Sequence, residues 1–261
     1  MRSLTRRQLL AMAVALPWLL ACERAAAAPP LRWQQGPAGL EHAIASTRSE
    51  QGRPAVAVHL LRIDPRRHEL VVVPAAALGR TLASAADFRS HVGGLAAING
   101  GYFDPQYRPL GLLVSRGREL SHLRKVDHGI FAIAAGRPLL EHARTWHAPP
   151  DLEFAVECGP RLLIGGQSPH FRRDDLARRV AIGKDRAGRV VWAVTEGVMQ
   201  LTEFARLLAS APQNGGPALT DALNLDGGSS AMFDLAAAPL QARVSSAVEV
   251  PIGLAVVPRR P

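Results

Sequence analysis

The sequence predicts an α+β fold, a single domain built on a mixed, mainly antiparallel β-sheet with a few helices. Three observations carry this reading. Short apolar runs rich in Val, Ile and Leu recur between turn residues from 54 to 257, as strands do. Two or three stretches have helical periodicity, but they lack the regular βα alternation that a doubly wound parallel sheet needs. No internal repeat, low-complexity body or linker divides the chain beyond residue 54, and a length of 261 residues suits one large domain.

Residues 1–28 are read as an export signal rather than as fold. Arg2, Arg6 and Arg7 precede the apolar run 9–20, which is too short and too near the start for a transmembrane helix. Thr5-Arg6-Arg7-Gln8-Leu9-Leu10 resembles a twin-arginine signal, with the general secretory route as the alternative. Leu19-Leu20-Ala21-Cys22 resembles a bacterial lipobox, which would make Cys22 a lipidation site. Ala25 to Ala28 offer an ordinary cleavage site instead. The expected location is therefore the periplasm, or a membrane reached only through a lipid anchor. Residues 29–54 are read as a tether and lead-in, and 55–261 as the domain.

Within the domain each element has its own signal. Pro54 to Asp64 reads as a strand, Pro65-Arg66-Arg67 as a turn, and Glu69 to Pro74 as the second strand of a hairpin. Thr81 to Ser90 suits a short helix, with Leu82, Ala85, Ala86 and Phe88 near one face. Gly93-Gly94 ends it, and a strand over 95–98 delivers Asn99. Residues 109–114 pass from turn to strand, and strands follow at 130–134 and 154–157. Gly159-Pro160 then sets Arg161 just after a turn, and 167–178 reads as a polar, exposed loop. Arg179 to Gly183 and Val190 to Thr195 form a hairpin through Asp185-Arg186-Ala187-Gly188. Leu201, Phe204, Ala205 and Leu208 fall at i, i+3, i+4 and i+7, so a helix is expected over Thr202 to Ala211, with Thr202 as its cap. Ala218 to Ala222 is read as a further helical turn, and Ile252 to Val257 as a closing strand.

The formal net charge is +9, of which Arg2, Arg6 and Arg7 account for three. The remaining positive residues are scattered and not interleaved with aromatics, so no nucleic-acid module is present. A mildly basic exported protein suits acidic polymers such as phosphate-bearing glycans. Apart from Cys22 the only cysteine is Cys158. Removal or lipidation of Cys22 leaves no intrachain disulfide and no Cys-rich zinc site.

Two segments share one text: Leu95 to Asp104, containing Asn99-Gly100-Gly101-Tyr102-Phe103, and Leu223 to Phe233, containing Asn224-Leu225-Asp226-Gly227-Gly228-Ser229-Ser230. In each, an apolar run ends in Asn and a glycine pair, as where a strand enters a tight turn at a sheet edge. Their recurrence points to one pocket built from both.

These segments, together with Pro109-x-Gly111-Leu112, Gly159-Pro160-Arg161-Leu162 and Arg179-Val180-Ala181-Ile182-Gly183, occur in an order that resembles the phosphodiester glycosidase family. The resemblance covers about residues 55–257 and includes exported bacterial proteins tied to exopolysaccharides. Two departures stand out: Glu196-Gly197 where many members carry Asp-Gly, and a loop before the helix cut to Val198-Met199-Gln200.

The resemblance implies hydrolysis of a sugar-1-phosphodiester in an envelope or extracellular glycan. That reaction passes through an oxocarbenium-like transition state and expels a phosphate monoester that is already a stable anion. Cations on the phosphate and a carboxylate at the sugar then matter more than an acid. Arg161 and Arg179 are candidates for the phosphate, because a guanidinium fork matches two of its oxygens; ordinary ion pairing is the competing reading. Asp226 is the candidate nucleophile or base, against the alternative of an Asx turn. Glu196 is the candidate second carboxylate, against a plain strand-end residue. Asn99 and Asn224 are expected to donate to substrate through their amides, Gly100, Gly101, Gly227 and Gly228 through backbone N–H groups, with Ser229 beside them. No cofactor is expected. Asp226 with another acid would suit Ca²⁺ or Mg²⁺, but no ligand spacing demands a metal and none is assigned. Two rival functions share these residues: a non-catalytic glycan-binding lipoprotein, and a metal-dependent phosphodiesterase attacking phosphorus.

Overall fold

A computed structural model describes residues 29–47 and 54–259. The export signal and Cys22 lie outside the described residues. The chain first forms β1 (Gln34–Gln35), β2 (Glu41–Thr47), β3 (Val56–Ile63), β4 (His68–Pro74), α1 (Ala85–His91) and β5 (Ala96–Asn99). There follow β6 (Leu113–Ser115), β7 (Arg118–Ser121), β8 (Gly129–Ala134), β9 (Arg137–His142), β10 (Leu152–Cys158) and β11 (Arg161–Leu163). The last part contains β12 (Val180–Asp185), β13 (Val190–Thr195), α2 (Leu201–Ala209), β14 (Leu219–Asn224), β15 (Phe233–Ala237), β16 (Leu240–Val244) and β17 (Ile252–Pro258).

The α+β class holds, but the strands divide into three sheets, and every pairing among the described residues is antiparallel. A seven-stranded sheet runs β1-β2-β3-β13-β12-β14-β11, a five-stranded sheet β7-β6-β10-β8-β9, and another β16-β15-β5-β17-β4. Strand alternation explains how they fit. Val180, Ile182, Trp192, Val194 and Leu223 point into a core shared with Phe131 and Val156 of the second sheet and Ile98, Phe233 and Leu254 of the third. The other face of the large sheet, through Ala181, Val191, Ala193 and Ala222, packs on Phe204, Ala205 and Leu208 of α2. One core drawn from all three sheets makes these residues one packed unit.

Several elements differ from the sequence reading. The hairpin over 54–74 does not form: β3 pairs with β2 and β13, whereas β4 pairs with β17 in another sheet. The turn at Asp64 sends the chain across the core, a long-range choice that local turn chemistry does not encode. Residues 219–222, read as part of a helical turn, belong to strand β14, whose two faces are both covered, by Leu223 on one side and Leu219 and Ala222 on the other. Thr202 is not the cap of α2. The N-cap is Gln200, which makes no side-chain bond, and Asp174 Oδ1 accepts from the Thr202 N–H at 3.0 Å. The lead-in contributes β1 and β2, which extend the edge of the large sheet. Among the described residues no helix is long and apolar enough to cross a membrane.

Candidate active site

One end of the seven-stranded sheet collects most of the residues singled out above. Neighbouring antiparallel strands place starts beside ends, so Arg161 at the start of β11 and Asn224 at the end of β14 share this edge. Arg179, one residue before β12, and Glu196, one residue after β13, lie on it too. The end of β5 in the third sheet supplies Asn99, Gly100 and Gly101.

The two Asn-Gly-Gly segments meet, as their shared text implies. Asn99 Nδ2 donates to the Asp226 carbonyl at 2.7 Å, and its Oδ1 accepts from the Met232 N–H at 3.2 Å. The Asp226 N–H donates to the Gly100 carbonyl at 3.3 Å. Asn224 Nδ2 donates to the carbonyls of Gly159 at 3.0 Å and Leu225 at 2.7 Å. Both asparagines are buried, and their N–H groups are spent on protein acceptors rather than held out to a ligand. They hold the two loops together. The Asn224 Oδ1 atom is buried with no partner.

The glycines act in the same way. A Cβ on Gly100 would lie 2.7 Å from Ile252 Cγ2, one on Gly101 2.9 Å from the Glu157 carbonyl, and one on Gly227 2.5 Å from the Arg178 carbonyl. Gly228 has φ of +59°, which favours glycine. The N–H groups of Gly100, Gly227 and Gly228 donate to Ile252 O, Asp226 Oδ1 and Arg178 O. They serve loop geometry instead of the substrate contacts expected of them. Ser229 is exposed, and its carbonyl accepts from the Ala247 N–H at 2.9 Å.

Asp226 is held locally, but not by the Asx turn of the sequence reading, which would use the N–H two residues on. Its Oδ1 accepts from the Gly227 N–H at 3.1 Å, a local turn bond. Burial pushes its carboxyl above the usual range, against the opposing pull of Ser230 and the Gly227 N–H. A half-buried, oriented carboxylate with a raised pKa is suited to proton transfer or attack.

Beside this junction lies a cavity of about 580 Å³ whose wall includes Tyr102, Arg161, Arg172, Arg173 and Arg179. Both predicted phosphate-binding arginines therefore face one space. Val180 points into the main core, so the pleat turns Arg179 to the opposite side, beside Leu201 of α2. Arg179 is fixed there by donating from Nε to the Met199 carbonyl at 3.0 Å and from a terminal nitrogen to the Asp175 carbonyl. Arg161 makes no hydrogen bond or ion pair with the protein among the described residues.

Tyr102 joins the cavity to the Asp226 loop. Its hydroxyl donates to the Gly159 carbonyl at 2.6 Å and accepts from Asn224 Nδ2 at 3.3 Å. Burial, then the neighbouring Cys158 and Asp226, push this phenol above its usual range, while Asn224 and Arg179 pull it back. Tyr102 is absent from the sequence candidates, although its place as the aromatic following Gly100-Gly101 is a signal for it. Arg172 and Arg173 lie in the polar loop over 167–178 and are exposed, yet they line the cavity. Cys158 is buried and its thiol is pushed up to about 12 by desolvation, so it is no nucleophile here.

Glu196 does not join this wall. Val194 faces the main core, so two residues on Glu196 falls on that side of the sheet, while Thr195 lies on the Arg179 side. The Thr195 Oγ1 accepts from the Arg179 N–H at 2.8 Å. Glu196 Oε1 instead meets His59 Nε2 at 2.8 Å, and His59 Nδ1 meets His42 Nε2 at 3.1 Å. Among the described residues no group of three or more His, Cys, Asp or Glu is placed to hold a metal ion.

A family model described as phosphodiester glycosidase matches residues 93–257. The uncharacterized protein YigE of Escherichia coli (strain K12) is 24% identical over 141 residues. That match takes in 49% of this chain and 56% of YigE, so the chain spans little more than half of that relative's length. Among solved structures, the catalytic domain of zebrafish N-acetylglucosamine-1-phosphodiester alpha-N-acetylglucosaminidase, auto-inhibited by its pro-peptide, superposes with a TM-score of 0.67. It is 18% identical, with 88% of this chain and 89% of that one covered. A hypothetical protein from Synechocystis superposes with a TM-score of 0.59 at 17% identity, covering 89% of this chain and 64% of that one. At these identities the structural likeness establishes a shared fold.

Proposed function

Since the chain belongs to the phosphodiester glycosidase family, we propose that it hydrolyses the bond between a sugar's anomeric carbon and the phosphate of a phosphodiester. The observation that carries this is the convergence of Arg161 and Arg179 on one cavity, with Tyr102 linking it to the Asp226 loop. Arg161, which has no protein acceptor, pairs with the phosphate, and Arg179, anchored by backbone carbonyls, presents a fixed second cation. They stabilise the negative charge that accumulates on the departing phosphate monoester. Asp226 acts on the sugar side, attacking the anomeric carbon or taking a proton from the attacking water. Its desolvation strengthens it as a base. Glu196 has no part in the chemistry in this reading; its carboxylate belongs to the His59–His42 pair.

The predicted signal over residues 1–28 supports action outside the cytoplasm, on a phosphate-bearing envelope or extracellular glycan, with Cys22 as the lipid attachment point if the lipobox is used. The zebrafish neighbour is named for N-acetylglucosamine, which makes that sugar the first to try. Steady-state kinetics on an N-acetylglucosamine-α-1-phosphodiester test the phosphate assignment. Arg161→Ala should lower kcat/KM about 100-fold, since a charge-assisted pair contributes about 1.5–3 kcal/mol, and inorganic phosphate should compete with substrate. An Arg161→Ala enzyme with unchanged kcat/KM would move the phosphate elsewhere.

A further inference from the structure

Building on that reading of the cavity, we propose that its substrate carries at least two phosphodiesters: a stretch of a poly(glycosyl phosphate) chain whose second phosphate is held by Arg172 and Arg173. The argument is one of charge. Four guanidinium groups, Arg161, Arg172, Arg173 and Arg179, line the cavity against two carboxylates, Asp127 and Asp175. A single phosphodiester brings one negative charge, and Arg161 with Arg179 already exceeds it.

Little of the surplus is spent on direct ion pairs inside the protein. Arg62, Arg89, Arg189 and Arg243 each sit on a carboxylate. Arg161, Arg172 and Arg173 make no hydrogen bond or ion pair among the described residues. Asp127 is engaged by His142 at 3.0 Å and feels the charges of Arg144 and Arg172, while Arg179 is held by the Asp175 backbone carbonyl and faces the charges of Asp174 and Asp175. Like charges around a concave, low-dielectric wall reinforce one another's potential and draw in an anion of matching charge.

Position agrees with the charge. Arg172 and Arg173 are exposed, whereas Arg161 and Arg179 are part-buried. The first pair therefore forms the outer wall, where the next unit of a chain would lie while its neighbour is cut. A polymer whose scissile link is a phosphodiester repeats that anion in each unit, so the second charge needs no additional kind of group. The guanidinium fork suits it as well as the first.

The test is calorimetric binding to Asp226→Asn protein, followed by turnover with the active enzyme. The ligands are a glycosyl phosphodiester with one phosphate, its two-phosphate dimer, and an oligogalacturonate of matched charge. The dimer should bind about tenfold more tightly than the monomer at about 50 mM salt, with the gap closing at about 500 mM. The double variant Arg172→Ala/Arg173→Ala should remove most of that gap, and Arg172→Lys/Arg173→Lys should retain part of it. Equal binding of monomer and dimer, a gap unaffected by the alanine pair, or equal binding of the oligogalacturonate would overturn the proposal. A dimer preference without turnover of any ligand would uphold the second anion site and overturn the hydrolase reading, which keeps the two separable.

Discussion

Asp226 sits between the apolar end of β14 and a glycine pair. A carboxylate so placed loses water, and this burial raises its pKa. The sign follows directly. The folded state favours the protonated acid, so Asp226 stabilises the fold at pH below the ordinary carboxylate range, and that contribution is lost as pH rises through its elevated native value. Asp226→Asn should therefore raise the melting temperature at pH 7, with the gain shrinking as pH falls, while turnover disappears. Thermal melts across pH check it, and a destabilised variant at pH 7 would show that the carboxylate is not desolvated. The asparagines were legible as important but not in their role. Nothing in Asn99 or Asn224 says whether an amide faces a ligand or a carbonyl, because that depends on partners 127 residues away for Asn99 and 65 for Asn224.

Among the elements, the hairpin β12–β13 and helix α2 were readable because their signals are local: two apolar runs around a turn, and apolar spacing on one face. The pairing of β4 with β17 was not, since two strands far apart in sequence carry no mark of each other. The fate of Glu196 belongs here too, for the pleat of β13 sends it to His59 and away from Arg179. The cap of α2 comes from the loop that carries Arg172 and Arg173. Removing it in Asp174→Ala should cost about 1 kcal/mol of stability, measurable by urea denaturation, and an unchanged midpoint would deny the capping role. On β2, burial and then the neighbouring His59 lower His42 from the ordinary 6.5 to about 4. Its depressed native pKa means the unfolded chain takes up the proton first, so stability should fall as pH drops from about 6.5 towards about 4. His42→Gln should flatten that slope; an unaltered slope would place the proton uptake at another group.

For the molecule as a whole, the α+β class followed from many short strands without βα order, but three sheets around one core could not be counted from periodicity. The site lies where the large sheet and the third sheet meet, which is why its two Asn-Gly-Gly segments are so far apart along the chain. This arrangement sets a carboxylate loop beside an arginine-lined cavity, and the central claim is that the pair cleaves carbon–oxygen rather than phosphorus–oxygen. Hydrolysis of an N-acetylglucosamine-α-1-phosphodiester in ¹⁸O-labelled water, read by mass spectrometry of both products, tests that claim most directly. We predict label in the anomeric hydroxyl of free N-acetylglucosamine, unlabelled phosphate monoester, and no product from Asp226→Asn. Label in the phosphate, with sugar 1-phosphate released, would contradict it.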